Sequence, residues 1–174
     1  VLDADGKLVP EAKEAHERGV WLDTAHGRMN FTFDVAEKVL DQGVLPHCIS
    51  TDLTVPGRQI TVHSITEMMT RFLAMGFTFD QVVTMSTENP AKAAGVADRL
   101  GTLAVGKQAD LSVLEIKDGD WVLYDILRDP KKSDKAVVPV MAIKKGEVYE
   151  AGWGPAPGAG SRIQRRGSDQ RNNA

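Results

Sequence analysis

The chain has 174 residues, which is enough for one domain to bury roughly 70% of the surface that its unfolded chain would expose. Its formal net charge is −3, and no long block of one sign occurs before residue 151, so the composition argues against a nucleic-acid or membrane-surface partner. No apolar stretch approaches the roughly 20 residues that span a bilayer, and the first residues carry no secretory signal. We therefore expect a cytoplasmic protein that acts on small molecules.

The first predicted elements are a helix and a strand. Pro10 suits the first turn of a helix because its φ is fixed and its nitrogen carries no hydrogen, and Gly19 marks the end of that helix. Strand-forming residues then run from Val20 to Ala25 and place His26 directly after the strand.

A second helix and a second strand complete a βαβ unit. Apolar residues recur at helical spacing between Asp34 and Gln42, and an apolar run from Cys48 leads to Asp52. Two strands joined through one helix are parallel, with a right-handed crossover in nearly all known cases. His26 and Asp52 are therefore predicted to lie at the same edge of one sheet.

Asp52 is the candidate centre of the chemistry. In parallel α/β folds, reacting side chains lie at the C-terminal ends of strands, where the following loops meet in one cleft. Asp is also common in turns because its carboxylate binds nearby backbone amides. On this run alone, Asp52 is either a functional carboxylate or a local cap. The single cysteine, Cys48, is interpreted as a small packing hydrophobe in the same strand.

Three further helices and a β segment follow. Capping-box patterns at Ser64–Glu67 and Thr78–Gln81, and the pair Asn89-Pro90, predict the helix starts. From Gly101 the pattern changes to antiparallel strands with a turn at Lys117–Asp120. The predicted strands are Leu111–Ile116, Trp121–Leu127, Val137–Ile143 and Val148–Tyr149. After about Ala151, dense Gly and Pro predict a mobile tail, so the chain divides into residues 1–100, 101–150 and 151–174.

Five segments stand in a recognisable order along the chain. They are Thr24-Ala25-His26-Gly27, Phe31-Thr32-Phe33-Asp34-Val35-Ala36-Glu37, Ile49-Ser50-Thr51-Asp52-Leu53, Asn89-Pro90-Ala91-Lys92-Ala93-Ala94-Gly95, and Gly101-Thr102-Leu103 with Gly106-Lys107-Gln108-Ala109-Asp110-Leu111. In this order they resemble the amidohydrolase superfamily, in particular the amidohydrolase/deacetylase group related to dihydroorotases. The resemblance covers almost everything from about residue 10 to residue 150.

The resemblance implies an α/β fold, namely the C-terminal part of a (β/α)8 metallohydrolase barrel followed by part of a small β-sandwich domain. Val20 to Ala25 matches the seventh barrel strand, and Cys48 to Asp52 matches the eighth. Residues from about Leu103 to Tyr149 match the C-terminal share of the sandwich. Because the chain also begins with Val1 instead of Met, we interpret it as a fragment of a longer chain.

The resemblance also implies a role for Asp52, which matches the last-strand aspartate of the family. That aspartate binds a divalent metal ion, here expected to be zinc, and carries protons between the attacking water and the leaving group. A metal ion lowers the pKa of bound water from about 15.7 to about 7. The other family ligands would lie upstream of Val1, and His16, His47 and His63 replace none of them.

Substrate contacts are less defined. His26 matches a family position at the pocket mouth, where it either contacts substrate or donates to a loop carbonyl. Arg58 either binds a substrate carboxylate through its planar fork or is a solvated loop charge. Two departures leave the substrate open. Met29-Asn30-Phe31-Thr32-Phe33 stands where relatives have a Gly-Ser-Phe-Ser-Phe run, and Thr54 stands where a histidine is common.

The leading hypothesis is the C-terminal portion of a metal-dependent amidohydrolase that hydrolyses small-molecule amides or esters, such as N-acyl amino acids or cyclic amides. The alternative is a noncatalytic fragment or assembly module of the same fold that lacks a complete metal site. One carboxylate is fewer than the about three protein ligands of a catalytic zinc. We therefore expect the isolated chain to be inactive. Because the edge of its partial barrel is open to pairing with another chain, we also expect it to form homo-oligomers or to aggregate.

Overall fold

The computed structural model describes residues 1–55 and 64–151, and the backbone alone of residues 163–165. Its helices are α1 (Pro10–Glu17), α2 (Phe33–Asp41), α3 (Ile65–Ala74), α4 (Phe79–Ser86) and α5 (Glu88–Ala93). Its strands are β1 (Asp23–Ala25), β2 (Cys48–Ser50), β3 (Leu111–Tyr124), β4 (Pro130–Lys144), β5 (Glu147–Glu150) and β6 (Ile163–Arg165). Arg58 and His63 lie outside the described residues. No helix among those described is long and apolar enough to cross a membrane.

Strands β1 and β2 are adjacent and parallel, with Ala25 opposite Ser50. This confirms the predicted βαβ unit, in which α2 connects the two strands. Both strands are shorter than predicted. Before β1, the Val20 N–H donates to the Ala15 carbonyl oxygen (3.0 Å), because the chain there is still closing the end of α1.

Local capping sets three of the helix starts, and at α3 the predicted Ser64 hydroxyl accepts from the Glu67 N–H (3.3 Å). The Thr32 hydroxyl oxygen accepts a hydrogen bond from the Val35 N–H (3.3 Å), and α2 starts one residue before the predicted Asp34. At α4, Thr78 and Gln81 form the predicted reciprocal capping box, with a Thr78 N–H to Gln81 Oε1 distance of 2.8 Å. These bonds satisfy backbone amides that have no acceptor within the helix.

Helix α3 is buried on almost all sides because it packs against β2 and the long strand β4. Its apolar side chains contribute to the core, since Met68 and Phe72 are almost wholly buried. Polar residues of the same helix are also buried, and Thr70 shows how they are satisfied. Its hydroxyl accepts from the Val137 N–H of β4 (3.0 Å) and donates to the Thr66 carbonyl oxygen (2.8 Å). The helix therefore has a polar interface with the sheet as well as an apolar one.

The second sheet is antiparallel and has the order β5-β4-β3-β6. The predicted antiparallel segment is confirmed, but the predicted turn at Lys117–Asp120 is wrong. Strand β3 continues through this stretch and contains a bulge. Asp118 pairs with Lys135 and Trp121 pairs with Ser133, so β3 has one residue more than β4 between these two pairs. Because β4 pairs with β3 both before and after this stretch, Gly119 belongs to a bulge and not to a chain reversal.

Strand β6 lies inside the segment that the sequence predicts to be mobile. Its backbone pairs with β3, with Ile163 opposite Leu123 and Arg165 opposite Trp121. The other residues after Ala151 lie outside the described part of the chain. Mobility of that segment and the division into residues 1–100, 101–150 and 151–174 stay predictions.

Replacement of Gly101 by Ala is expected to lower the free energy of unfolding by about 1 to 3 kcal/mol more than replacement of Gly106 by Ala. Both glycines have left-handed φ angles, 91° and 89°, so both substitutions share a backbone cost of about 1 to 2 kcal/mol. A Cβ at position 101 would lie 2.6 Å from Ala91 Cβ and 3.0 Å from the Thr87 carbonyl oxygen, whereas position 106 has no such neighbour within 4 Å. Urea unfolding measures the difference, and equal losses would contradict it.

Candidate active site

The C-terminal ends of β1 and β2 meet, as the βαβ prediction requires. The Gly27 N–H donates to the Thr51 carbonyl oxygen (2.9 Å), which extends the contact between the two strands beyond the β ladder. His26 follows β1 directly, and Asp52 follows β2 after Thr51. The prediction that the two residues flank one edge of the sheet is therefore confirmed.

A tight turn from His26 to Asn30 folds back over this edge. The Asn30 N–H donates to the His26 carbonyl oxygen (3.1 Å), and Gly27 within the turn has a φ of 51°, which glycine adopts without strain. The turn brings the Asn30 side chain to the end of β2. There its Nδ2 donates to Oδ2 of Asp52 at 2.9 Å.

Gly27 leaves space for the contact between Asp52 and Asn30 and also adopts the backbone angle of the turn. A Cβ at this position would lie 2.5 Å from Oδ2 of Asp52 and 2.6 Å from Nδ2 of Asn30. Asp52 itself has a φ of 44°, in the left-handed region, where Asp is enriched over most other residues. We call these three residues the Gly27–Asn30–Asp52 cluster. Its side-chain hydrogen bond is solvent-exposed, so the carboxylate faces the exterior of the described part.

His26 is wholly buried beside this cluster. Its ring stacks on Phe31 with ring centroids 5.4 Å apart, and its Nδ1–H donates to the Gly27 carbonyl oxygen (3.1 Å). This is the local hydrogen bond expected from the second of the two sequence interpretations. The bond fixes the orientation of the ring inside the turn. A direct substrate contact by His26 stays a prediction, and the same is true of Arg58, which is not among the described residues.

Asn30 did not stand out in the sequence as a site residue. The available signal was the departure at residues 29–33, where Asn30 takes the place of a serine in the family run. A contact between residues 22 positions apart, however, depends on the crossing of two loops. The residue pattern of either loop alone does not predict this contact.

Cys48 lies below the cluster in β2 and is buried. Burial raises the pKa of its thiol above the ordinary value, and the negative charge of Asp23 raises it further. Because the thiolate is the reactive form of cysteine, a raised pKa disfavours a nucleophilic role. The burial agrees with the packing role predicted for Cys48.

The described residues do not complete a metal site. No group of three or more His, Cys, Asp or Glu side chains that could hold an ion occurs within residues 1–55 and 64–151. A catalytic zinc takes about three protein ligands and an open position for water. Asp52 offers one carboxylate, and one oxygen of that carboxylate already accepts a bond from Asn30. The described part of the chain therefore does not fit a zinc ion by itself.

An apolar cavity of about 390 Å³ lies against β1 and α2. Its lining includes Ala25, Asn30, Val35 and Val39, and it does not include Asp52. The cavity thus reaches the turn that carries Asn30. It is not the space into which the Asp52 carboxylate opens.

A sequence profile of the amidohydrolase family matches residues 5–149, which is most of the chain. The chain belongs to the amidohydrolase family. The predicted superfamily is therefore confirmed, and the Gly27–Asn30–Asp52 cluster lies inside the matched region. Closure of a (β/α)8 barrel around β1 and β2 is a separate matter and stays a prediction.

Several known members of the amidohydrolase family are similar to this chain. A deacetylase of Brucella anthropi is 29% identical over 147 residues, which are 84% of this chain and 36% of the relative. Deacetylase Atu3266 of Agrobacterium fabrum is 31% identical over 147 residues, which are again 84% of this chain and 36% of the relative. A crystal structure of an adenine deaminase superposes with a TM-score of 0.82 at 29% identity, over 87% of this chain and 41% of that one.

A crystal structure of a dihydroorotase is also similar, with a TM-score of 0.73 at 31% identity. The superposition covers 83% of this chain and 39% of the dihydroorotase chain. The amidohydrolase-family chain thus spans about two fifths of the length of the relatives that it matches.

Proposed function

We propose that this chain is the C-terminal portion of an enzyme that hydrolyses C–N amide bonds of small molecules, as a deacetylase or dihydroorotase does. The observation that carries the proposal is the position of Asp52. Its carboxylate stands at the C-terminal end of β2, exposed and bound to Asn30, within the region matched by the amidohydrolase family. In a parallel α/β fold, this is the end of a strand where chemistry takes place.

Asp52 would serve as the proton carrier of the reaction. As the oxygen of a water molecule forms a bond to the amide carbon, the carboxylate accepts a proton from that water. It then gives the proton to the nitrogen as the C–N bond breaks, and the amine leaves with the carboxylate restored. Proton transfer by a positioned side chain typically contributes about 10² to 10⁴ in rate.

A divalent metal ion, zinc by expectation, remains part of the proposal through the family resemblance alone. Asp52 is the one described residue matched to a ligand position, and its partners would lie outside the described residues. The barrel is likewise a proposal, in which β1 and β2 are the seventh and eighth strands. The parallel pairing and the superposition on two members of the family support this placement.

The substrate class follows from what the relatives are named for and from the sequence hypothesis. N-acyl amino acids, cyclic amides and related esters are the first candidates. His26 and Arg58 are the residues proposed to contact the substrate. Because the His26 ring is wholly buried, its contribution would be to shape the turn unless the turn opens.

The proposal is tested by hydrolysis of a panel of N-acetyl amino acids and cyclic amides. The protein is produced from the complete reading frame that contains these 174 residues and is compared with the isolated chain. We expect turnover of at least one panel member by the first protein, loss of that turnover with a chelator, and recovery with zinc. We expect neither turnover nor stoichiometric metal with the isolated chain. Absence of turnover with both proteins would contradict the proposal.

A second candidate function is a noncatalytic assembly module of the same fold. The absence of a three-ligand cluster from the described ranges is the observation that favours it. The two candidates differ in metal content. One zinc per chain with turnover supports the enzyme, whereas a stable oligomer without metal or turnover supports the module.

A further inference from the structure

We propose that Asn30 is a positioning residue that holds the Asp52 carboxylate in one orientation for proton transfer. The inference rests on the proposed function, because it concerns the carboxylate that would carry the proton. Asn30 would touch neither the substrate nor the reacting water molecule in this role. It would act only through the hydrogen bond from its Nδ2 to Oδ2 of Asp52.

The first argument is the freedom that Asp52 would have without this bond. An exposed aspartate side chain populates several staggered rotamers, and only some of them direct a carboxylate oxygen at a given point. A hydrogen bond from an amide to an ionised carboxylate is among the stronger kinds of hydrogen bond. The bond from Asn30 occupies one oxygen and thereby restricts where the other can lie.

The second argument is that the surrounding backbone is built to permit this contact. Gly27 lacks the Cβ that would lie 2.5 Å from the acceptor and 2.6 Å from the donor. Asp52 adopts a left-handed φ of 44° at the same point. The Gly27 N–H also binds the Thr51 carbonyl oxygen at 2.9 Å, so both loops are joined directly below the side chains. The turn and the end of β2 are therefore joined through the backbone as well as through the side-chain hydrogen bond.

The third argument is that the turn carrying Asn30 is anchored from behind. Immediately after it, the Phe31 carbonyl oxygen accepts from the Ile126 N–H (3.3 Å), and the Phe33 N–H donates to the buried carboxylate of Asp125 (3.1 Å). The loop between β3 and β4 therefore fixes the segment that follows the turn. A donor held on a supported backbone keeps its geometry better than one on a free loop.

The bond itself is tested by NMR on the protein from the complete reading frame, and this measurement does not depend on enzymatic activity. We expect scalar couplings of Asp52 that correspond to one dominant χ1 rotamer, and loss of that single rotamer in Asn30→Ala. The matched control is Asn89→Ala. It removes an amide bond of 2.7 Å to the His47 carbonyl oxygen, near the N-terminal end of β2, and should leave the Asp52 couplings unchanged.

Two further measurements keep the test decisive if Asn30→Ala does not fold. In Asp52→Ala, which keeps Asn30, the Asn30 side-chain amide signals should shift from their positions in the unaltered protein. In Asn30→Asp, which preserves side-chain size but replaces the donor with a second acceptor, the Asp52 rotamer should also be lost. Retention of a single Asp52 rotamer in Asn30→Asp, or unshifted Asn30 amide signals in Asp52→Ala, would overturn the proposal.

The kinetic consequence is measured on the protein from the complete reading frame. Loss of a partner that orients a catalytic group typically lowers activity about 10- to 100-fold. We expect that reduction in kcat for Asn30→Ala with KM nearly unchanged, a greater reduction for Asn30→Asp, and no reduction for Asn89→Ala. An unchanged kcat for Asn30→Ala in an active enzyme would overturn the inference. If the unaltered protein has no activity, the proposed function fails, and the NMR result still decides whether Asn30 holds Asp52.

Discussion

Replacement of Asp52 by Asn is expected to reduce kcat for amide hydrolysis by about 10² to 10⁴, the usual contribution of a general acid–base group. The carboxamide has nearly the same size as the carboxylate and still offers an oxygen to the Nδ2 of Asn30. The turn and the left-handed backbone at residue 52 should therefore persist. What is removed is the ability to accept a proton from water and to return it to the leaving nitrogen.

The measurement is kcat and KM of both proteins, produced from the complete reading frame, with a substrate identified in the panel. Asp134→Asn is the matched control because its side chain is 87% exposed and its salt-bridge partner is the adjacent Lys135. That variant should retain the activity of the unaltered protein. If Asp52→Asn and Asp134→Asn have the same kcat, Asp52 is a local cap and not the proton carrier.

The second large effect is expected in stability, from the buried ion pair of α3. Nη2 of Arg71 donates to Oε1 of Glu67 at 2.9 Å, and the two side chains are 0% and 3% exposed. The same Nη2 donates to the Tyr124 carbonyl oxygen at 3.0 Å. Burial lowers the pKa of the Arg71 guanidinium, while the charges of Glu67 and Asp125 act in the opposite direction. The cation is thus kept inside the protein by its anionic neighbours.

Glu67→Ala is therefore expected to lower the free energy of unfolding by about 3 to 5 kcal/mol, because it leaves a buried cation without its nearest anion. The matched control is Glu14→Ala. Glu14 pairs with Arg18 at 3.5 Å with the same helical spacing, but these side chains are 68% and 71% exposed, so the expected loss is at most about 1 kcal/mol.

Urea unfolding of the two variants, with the unaltered chain as reference, measures both losses. A double variant that replaces Glu67 by Leu and Arg71 by Met should be less destabilised than Glu67→Ala, since apolar side chains of similar volume remove the charge as well. Equal losses for Glu67→Ala and Glu14→Ala would mean that water reaches the pair in solution.

The parallel unit of β1, α2 and β2 could be predicted because its information is local. The sequence has a helical period between Asp34 and Gln42 and strand-forming residues on either side of it. This pattern indicates a strand, a helix and a second strand, and the parallel pairing follows from the length of the connection. The edge shared by His26 and Asp52 follows in turn. The order of the family segments then added the superfamily, which the profile match to residues 5–149 confirms.

The turn at Lys117–Asp120 was wrong for the opposite reason. Asp118-Gly119 is a common turn pair, and the local pattern contains no sign that β4 has 15 residues to pair with. A long partner on the other side of the ladder turns a predicted reversal into a bulge. Hydrogen bonds to residues more than ten positions away decide whether this stretch forms a turn or a bulge.

By itself, the sequence determined the starts of α1, α3 and α4, the βαβ connection, the family and the place of Asp52 at a strand end. All of these depend on neighbours within one or two turns of the chain, or on the order of short segments. The predicted cap at Asn89-Pro90 was wrong, because α5 starts at Glu88 and Asn89 lies inside the helix. Only the tertiary structure decided that Asn30 binds Asp52 across 22 residues and that Arg71 lies buried against Tyr124 across 53. The physical reason is that a polar side chain has the same local pattern whether it ends in water or against a partner. Its burial and its hydrogen bond are set by which loops and strands the fold brings together.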